Sequence, residues 1–327
     1  MASTIALVGG ESLRARELRE VLGDRKPAPD ITLFGSSDAD VRILTEQSEE
    51  AAIIEPLVDE SLRDMRVAFL AGSPASSRKA LRIASGAVLV DLSGTLEEQP
   101  HARLRAPLVE AEAVPFTQEH IHVVAHPAAV GLAMFFGQLS EGVTVKRSVV
   151  EIHEPASERG QRGLDELQKQ CVALLSFQKL PDDVYDTQVA FNLLARYGEE
   201  AEEPLEDIEL RIDRHLATLL ARWPAVPMPS LRLIQAPVFH GYGISAWVEF
   251  EAAVNLEALA ARLAAPHIDV RTSQEESPSN VGAAGQSGIT VSFEADRNHP
   301  RAAWFWIALD NLRMTADNAV AIAESAL

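Results

Sequence analysis

Apolar residues fall into two spacings along the chain. Thr4-Ile-Ala-Leu-Val-Gly9 is a continuous apolar run closed by glycine, and Glu11 to Leu22 then carries apolar residues at helical spacing among Arg and Glu. That order predicts strand, turn and helix. Segments 31–34, 52–54, 66–70, 87–90 and 120–124 are further short apolar runs, with a helix over 76–84 between two of them. Continuous apolar strands alternating with helices predict a parallel sheet covered on both faces, an α/β dinucleotide-fold architecture. After about residue 142 the pattern lengthens. Amphipathic helices over 163–176, 204–222 and 255–264 lie between strands over 144–152, 231–236 and 244–250, which predicts a mixed α+β region. Segment 272–288 is polar, small and glycine-rich and reads as a mobile loop; no internal repeat is present.

A chain of 327 residues exceeds one ordinary core, so two domains are expected. The formal charge of −19 speaks against a nucleic-acid partner, whose phosphates need clustered Lys and Arg. The acidic run Glu199-Glu200-Ala-Glu202-Glu203 reads as a solvated cluster rather than a metal site. Cys171 is the single cysteine, which excludes an internal disulfide framework and fits a reducing compartment. Apolar positions 164, 167, 171, 174 and 175 share helical spacing, so Cys171 is expected on a buried stripe and not as a nucleophile. No basic N-terminal region precedes a long apolar run, and no uncharged apolar stretch is long enough to span a bilayer, so a cytoplasmic location is expected.

Trp304-Phe-Trp-Ile-Ala-Leu-Asp-Asn-Leu-Arg313, followed by Asn318-Ala-Val, resembles the last strand and closing helix of the aspartate-semialdehyde dehydrogenase family. Gln188-Val-Ala-Phe-Asn-Leu193, Glu203-Pro-Leu-Glu-Asp-Ile208 and Pro237-Val-Phe-His-Gly241 are similar to three further family segments, in family order. The resemblance implies a Rossmann-type domain over 1–127, to which a C-terminal helix (309–327) returns, and an α+β dimerisation domain over 128–308. It also implies a homodimer and NADP as cofactor, with no metal.

The same resemblance locates the chemistry, and the expected residues are absent. Acyl transfer needs a thiolate, a base and a cation for the substrate carboxylate. The family's cysteine, in Asn-Pro-Asn-Cys, falls at Ala129 in His126-Pro-Ala-Ala129. Its arginine and histidine, in Arg-Val-Pro-Val-x-x-Gly-His, fall at Gln235 and Tyr242, and its orienting glutamine at Glu154. The glycine fingerprint Gly-Ala-Thr-Gly-x-Val-Gly becomes Gly9-Gly10-Glu11-Ser12-Leu13-Arg14-Ala15. Ser12 thus adds a Cβ where pyrophosphate approaches, and Glu11 places negative charge at a helix N-terminus. Arg14 and Arg16 offset some of that charge. Ser36-Ser37 sits where the family reads the adenosine ribose or its phosphate, and Ala71-Gly72 resembles its Ser-Ala-Gly stretch. NADP binding is therefore expected to be weakened or lost. The chain looks closest to the family's Usg-type members, which lack the usual chemistry, and a pseudoenzyme acting by binding or as a dimeric partner is expected.

The sequence leaves three alternatives for chemistry at these positions. His120, His122 and His126, with His153 and His240, have some of the ligands zinc needs but no accompanying motif, and solvated or hydrogen-bonded histidines are favoured. Tyr242 or His240, sharing a strand face, offers an acid or base for a divergent NAD(P)-dependent oxidoreductase. Ser157 or Ser140 as nucleophile lacks a recognisable elbow.

Overall fold

The computed structural model describes residues 4–36, 43–47, 50–110 and 121–324, and Ser37 and His120 lie outside them. The chain divides into two compact units, Met1–Ala125 with Thr315–Leu327, and His126–Met314.

The first unit is built on β1 (Thr4–Val8), β2 (Asp30–Phe34), β3 (Ile43–Gln47), β4 (Glu50–Glu55), β5 (Val67–Leu70), β6 (Val88–Asp91), β7 (Ala102–Arg105) and β8 (Ile121–Val124), with helices α1 (Leu13–Gly23) and α2 (Pro74–Ile83). They form one sheet in the order β3-β4-β2-β1-β5-β6-β8-β7. Both faces of β1 are buried, as its unbroken apolar run requires. Ile5 and Leu7 enter one core with Ala15, Leu18 and Leu22 of α1 and with Ala316 and Ala319 of the C-terminal segment. Ala6 and Val8 enter the opposite core with Ala80 of α2. The parallel expectation needs one correction, since β3 runs antiparallel to β4 at the sheet edge.

The second unit contains α3 (Pro127–Ser140), β9 (Val145–Glu154), a 3-10 turn (Ala156–Arg159), α4 (Gly160–Leu175), α5 (Leu205–Leu220), β10 (Ser230–Gln235), β11 (Tyr242–Phe250), α6 (Leu256–Leu263), β12 (Ile268–Val270), α7 (Asn280–Ala283), β13 (Ile289–Ala295), β14 (Ala302–Leu309) and the start of α8 (Asn311–Ile322). Its sheet order is β10-β9-β11-β14-β13-β12, with β10–β9 and β13–β12 parallel and the rest antiparallel. Helix α3 is buried from Pro127 through Gly137 and has no polar face, the signature of a core helix. Gly137 leaves room for an indole: a Cβ there would lie 2.5 Å from the Trp223 ring.

Two expectations change here. Cys171 is only half-buried, because the inward face of α4 is Leu164, Glu166, Leu167, Gln170 and Ala173, while Leu175 is 75 % exposed. Glu166 and Gln170 face inward because they hold a loop: Glu166 accepts from Val184 N at 2.7 Å, and Gln170 accepts from Val189 N at 2.8 Å. Segment 272–288 is not a free loop. It contains α7, and Trp306 Nε1 donates to Pro278 O (3.0 Å), Asn280 Nδ2 to Gly241 O (2.6 Å) and Gly285 N to Asp310 (2.8 Å).

Candidate functional site

Three of the four positions singled out by the resemblance meet at one end of the second sheet. Gln235 closes β10 directly beside Glu154, which closes β9, and β11 begins at Tyr242 with Gly243 opposite His153. Ala129 lies in the first turn of α3, two residues after Pro127. A thiol there would face the helix N-terminus that favours a thiolate; a methyl group has no such chemistry. His126, the N-cap of α3, packs its ring edge-on to Tyr242 at 6.0 Å, and its N–H donates to His215 Nδ1 on α5 at 3.0 Å.

Glu154 is fully buried, and Arg159 from the following turn places Nη2 3.2 Å from its carboxylate. Arg159 also pairs with Glu203, and Arg211 of α5 reaches Glu203 at 3.0 Å. The charges alternate along Glu154, Arg159, Glu203 and Arg211, as burial of ions requires. Burial pushes the Glu154 carboxyl up to about 7, with Arg159 opposing the rise and Glu158 and Glu203 adding to it. For Arg159 burial acts against the charge, but Glu154 and Glu203 outweigh it and raise the guanidinium above its ordinary value.

Gln235 has its side chain committed on both ends. Its Oε1 accepts from the Tyr197 hydroxyl at 2.6 Å, and its Nε2 donates to Glu154 O at 2.9 Å and Ala236 O at 2.7 Å. A neutral amide with these partners cannot hold a substrate carboxylate as an arginine does. Tyr197 stacks edge-on with Tyr185 at 5.2 Å. Burial is the largest influence on Tyr185, Tyr197 and Tyr242, and it raises each phenol above its ordinary range, so all three stay neutral at physiological pH. The Tyr242 and Tyr185 hydroxyls have no hydrogen-bond partner among the described residues.

The Asp-Asn-Leu-Arg match has a local physical basis. Asp310 Oδ1 accepts from Leu312 N (2.9 Å) and Arg313 N (3.1 Å), capping α8, and its other oxygen takes Gly285 N. Asn311 accepts from Gly241 N at 3.1 Å and donates to Glu158 at 2.9 Å.

His240 and Tyr242 do not share a strand face. His240 is exposed in the bend before β11, where Gly241 takes φ +78°, whereas Tyr242 is buried. The other histidines are engaged separately. Arg105 Nη1 donates to His122 at 3.0 Å in the first unit, and His153 meets Gly243 O at 3.1 Å and Glu151 at 3.0 Å. No group of three or more potential metal ligands occurs among the described residues. Ser157 is buried and donates to Asn311 Oδ1 at 3.2 Å, and Ser140 donates to Gly137 O at 2.7 Å. The acidic run is solvated as expected at Glu199, Glu200 and Glu202, which are exposed, while Glu203 is half-buried and pairs with Arg159 and Arg211.

In the first unit, Gly9 takes φ +82°, and a Cβ on it would lie 2.2 Å from Gly72 Cα, so the two glycines pack directly on each other. A Cβ added to Gly10 would lie 3.0 Å from Leu33 Cβ. Ser12 is the N-cap of α1, its hydroxyl accepting from Ala15 N at 3.1 Å. Ser36 N donates to the Glu11 carboxylate at 2.9 Å, and the Ser36 hydroxyl donates to the same oxygen. Ala71 is buried beside Gly72.

Arg159, Arg211, Glu203 and Tyr197 were not expected at the site. For Arg159 and Glu203 the available sequence signal is charge complementarity between Arg159-Gly-Gln-Arg162 and Glu202-Glu203, and Arg211 and Tyr197 carry none.

A Rossmann-type sheet unit and a mixed-sheet unit with these strand ends define a two-domain dehydrogenase architecture. The family model for the semialdehyde dehydrogenase dimerisation domain matches residues 139–314. Aspartate-semialdehyde dehydrogenase of Rickettsia bellii is 27 % identical over 98 % of this chain and 96 % of its own length. A USG-1 protein homolog of Pseudomonas aeruginosa is 30 % identical over 78 % of this chain and 77 % of its own. The solved structure of a probable aspartate-semialdehyde dehydrogenase from Pseudomonas aeruginosa superposes with a TM-score of 0.81 at 26 % identity, covering 99 % of this chain and 98 % of that one. The chain belongs to the semialdehyde dehydrogenase family. Among the described residues no helix is long and apolar enough to cross a membrane.

Proposed function

We propose that this protein is a catalytically degenerate semialdehyde dehydrogenase homologue that acts by binding, as a dimeric partner, and does not turn over aspartate semialdehyde. One observation supports the reading: the positions that the resemblance assigns to nucleophile, orienting glutamine, arginine and base hold Ala129, Glu154, Gln235 and Tyr242, and Glu154 and Gln235 are already engaged with their own neighbours. A coupled catalytic unit loses about 10⁶ in rate when one key member is removed. Cys171, the single cysteine, lies on α4 and not at the position that the resemblance assigns to the nucleophile. The divergent oxidoreductase reading draws little support, with His240 exposed and Tyr242 a neutral phenol of raised pKa.

The outward face of the second sheet supports the dimer. Register places Val149, Trp247 and Trp304 in one row across β9, β11 and β14, and Glu151, Ser245 and Trp306 in the next. Val149 is 53 % and Trp304 46 % exposed. A groove of about 790 Å³ lies against Trp304, Trp306 and Phe293. Exposed tryptophans set among polar residues such as Glu151 and Ser245 are the composition of a protein-contact surface, and a second copy fits because the matched family model describes a dimerisation domain. The test is a steady-state assay of the purified protein with aspartate semialdehyde, phosphate and NADP⁺ or NAD⁺. No reduced cofactor above the enzyme-free rate is expected; phosphate-dependent turnover would sink the proposal.

A further inference from the structure

The loop that holds a dinucleotide in a Rossmann-type unit is engaged with its own carboxylate. In that architecture the pyrophosphate rests on backbone N–H groups at the N-terminus of the first helix, and the adenosine ribose is read at the end of the second strand. In this chain the two places are joined by Glu11. Its carboxylate accepts from both the N–H and the hydroxyl of Ser36, two residues beyond the end of β2. Those two donors suit a phosphate oxygen, and an internal anion already holds them.

The rest of the loop is closely packed around the same place. A Cβ on Gly9 would collide with the Gly72 backbone, 2.2 Å from its Cα. Ser12 uses its hydroxyl to cap Ala15 N, one of the α1 N–H groups that an anion would otherwise take. Ser76 Oγ and Ser36 Cβ close over Gly72, at 2.6 and 3.0 Å from where its Cβ would stand. Of these contacts, the Glu11 carboxylate on Ser36 is the one that bears on the 2′-phosphate of NADP(H).

We propose that Glu11 is a specificity-determining residue of this unit: its carboxylate stands in for a phosphate at Ser36, rejects NADP(H), and leaves NAD(H) as the better-tolerated dinucleotide. The reason is sign. A phosphate brought to Ser36 meets a fixed negative charge and must displace it from two hydrogen bonds, whereas an unphosphorylated ribose diol can donate to the same carboxylate. The inference concerns binding alone and stands whether or not the protein catalyses anything.

Fluorescence and calorimetric titrations of the full chain with NADPH, NADH and 2′,5′-ADP test it, using wild type, Glu11→Gln and Glu11→Thr. Thermal unfolding of each variant establishes that the unit remains folded. Glu11 is exposed, so little change in melting temperature is expected. Wild type is expected to bind NADH more tightly than NADPH, with no saturable binding of 2′,5′-ADP. Both variants are expected to gain tenfold or more for NADPH and 2′,5′-ADP while NADH changes less than threefold. Equal NADPH affinity in wild type and variants would overturn the proposal, as would failure of both folded variants to bind NADPH.

Discussion

Arg159 Nη2 lies 3.2 Å from the buried carboxylate of Glu154, five residues earlier in the chain. The pair spans the end of β9 and the turn after it, where the family resemblance places the orienting glutamine. Arg159 thereby ties a strand end to Glu203, 44 residues away in sequence, and through Glu203 to α5. The contact is structural in consequence, and its loss is predicted to be felt first as instability.

Arg159→Ala leaves Glu154 buried beside Glu158 without its partner. Breaking such a pair costs about 3–5 kcal/mol. Urea unfolding should show the midpoint falling accordingly with an unchanged slope, while the double variant Glu154→Gln, Arg159→Met loses clearly less. Equal losses in single and double variants would show that the ion pair is not coupled.

The raised carboxyl of Glu154 fixes a pH dependence. Its folded value is about 7 against an ordinary 4.5. The folded state therefore binds the proton more tightly than the unfolded state, and stability falls as pH rises from about 4.5 to 7, then levels off. The size is up to about 3 kcal/mol, since one unit corresponds to about 1.4 kcal/mol. Comparing wild type with Glu154→Gln by urea unfolding at pH 5 and 8 isolates this component, because other titrating groups are common to both. A parallel pH response in the two proteins would refute the assignment.

Tyr197→Phe removes the donor to Gln235 Oε1 and leaves a buried amide oxygen short of a partner. About 1–3 kcal/mol of stability should be lost, read as a drop in melting temperature. The far-ultraviolet circular dichroism should be unchanged.

The proposed dimer is expected to form through the tryptophan rows of the second sheet. Sedimentation equilibrium should give twice the 35.5 kDa chain mass. Trp304→Glu, on an outward position of β14 that is 46 % exposed, should give the monomer with secondary structure retained. A dimeric Trp304→Glu protein would move the contact elsewhere.

The sequence made some parts of this molecule legible and hid others for definable reasons. Strands β1, β5, β6 and β8 were readable because both sheet faces are buried, so their residues are almost uniformly apolar. β7 was missed because Ala102-Arg-Leu-Arg105 lies on a sheet edge and carries two arginines, one of them buried against Glu110 at 2.9 Å. Cys171 was misplaced because the inward face of α4 is chosen partly by Glu166 and Gln170, polar residues that hydrophobic periodicity assigns to solvent. The positions at the candidate site came from the family resemblance, not from spacing. The ion network around them was invisible, because Arg159 and Glu203 are brought together only by the packing of the turn after β9 against the segment leading into α5.

The most direct test of catalytic degeneracy is a single-turnover experiment, with protein in excess over aspartate semialdehyde in the presence of phosphate and saturating NAD⁺ or NADP⁺. Excess protein removes slow product release as an explanation for a low rate. The account predicts that the aldehyde is recovered and no reduced cofactor forms beyond the protein-free control. Stoichiometric formation of NADH or NADPH would contradict it and place working chemistry at residues other than Ala129, Glu154, Gln235 and Tyr242.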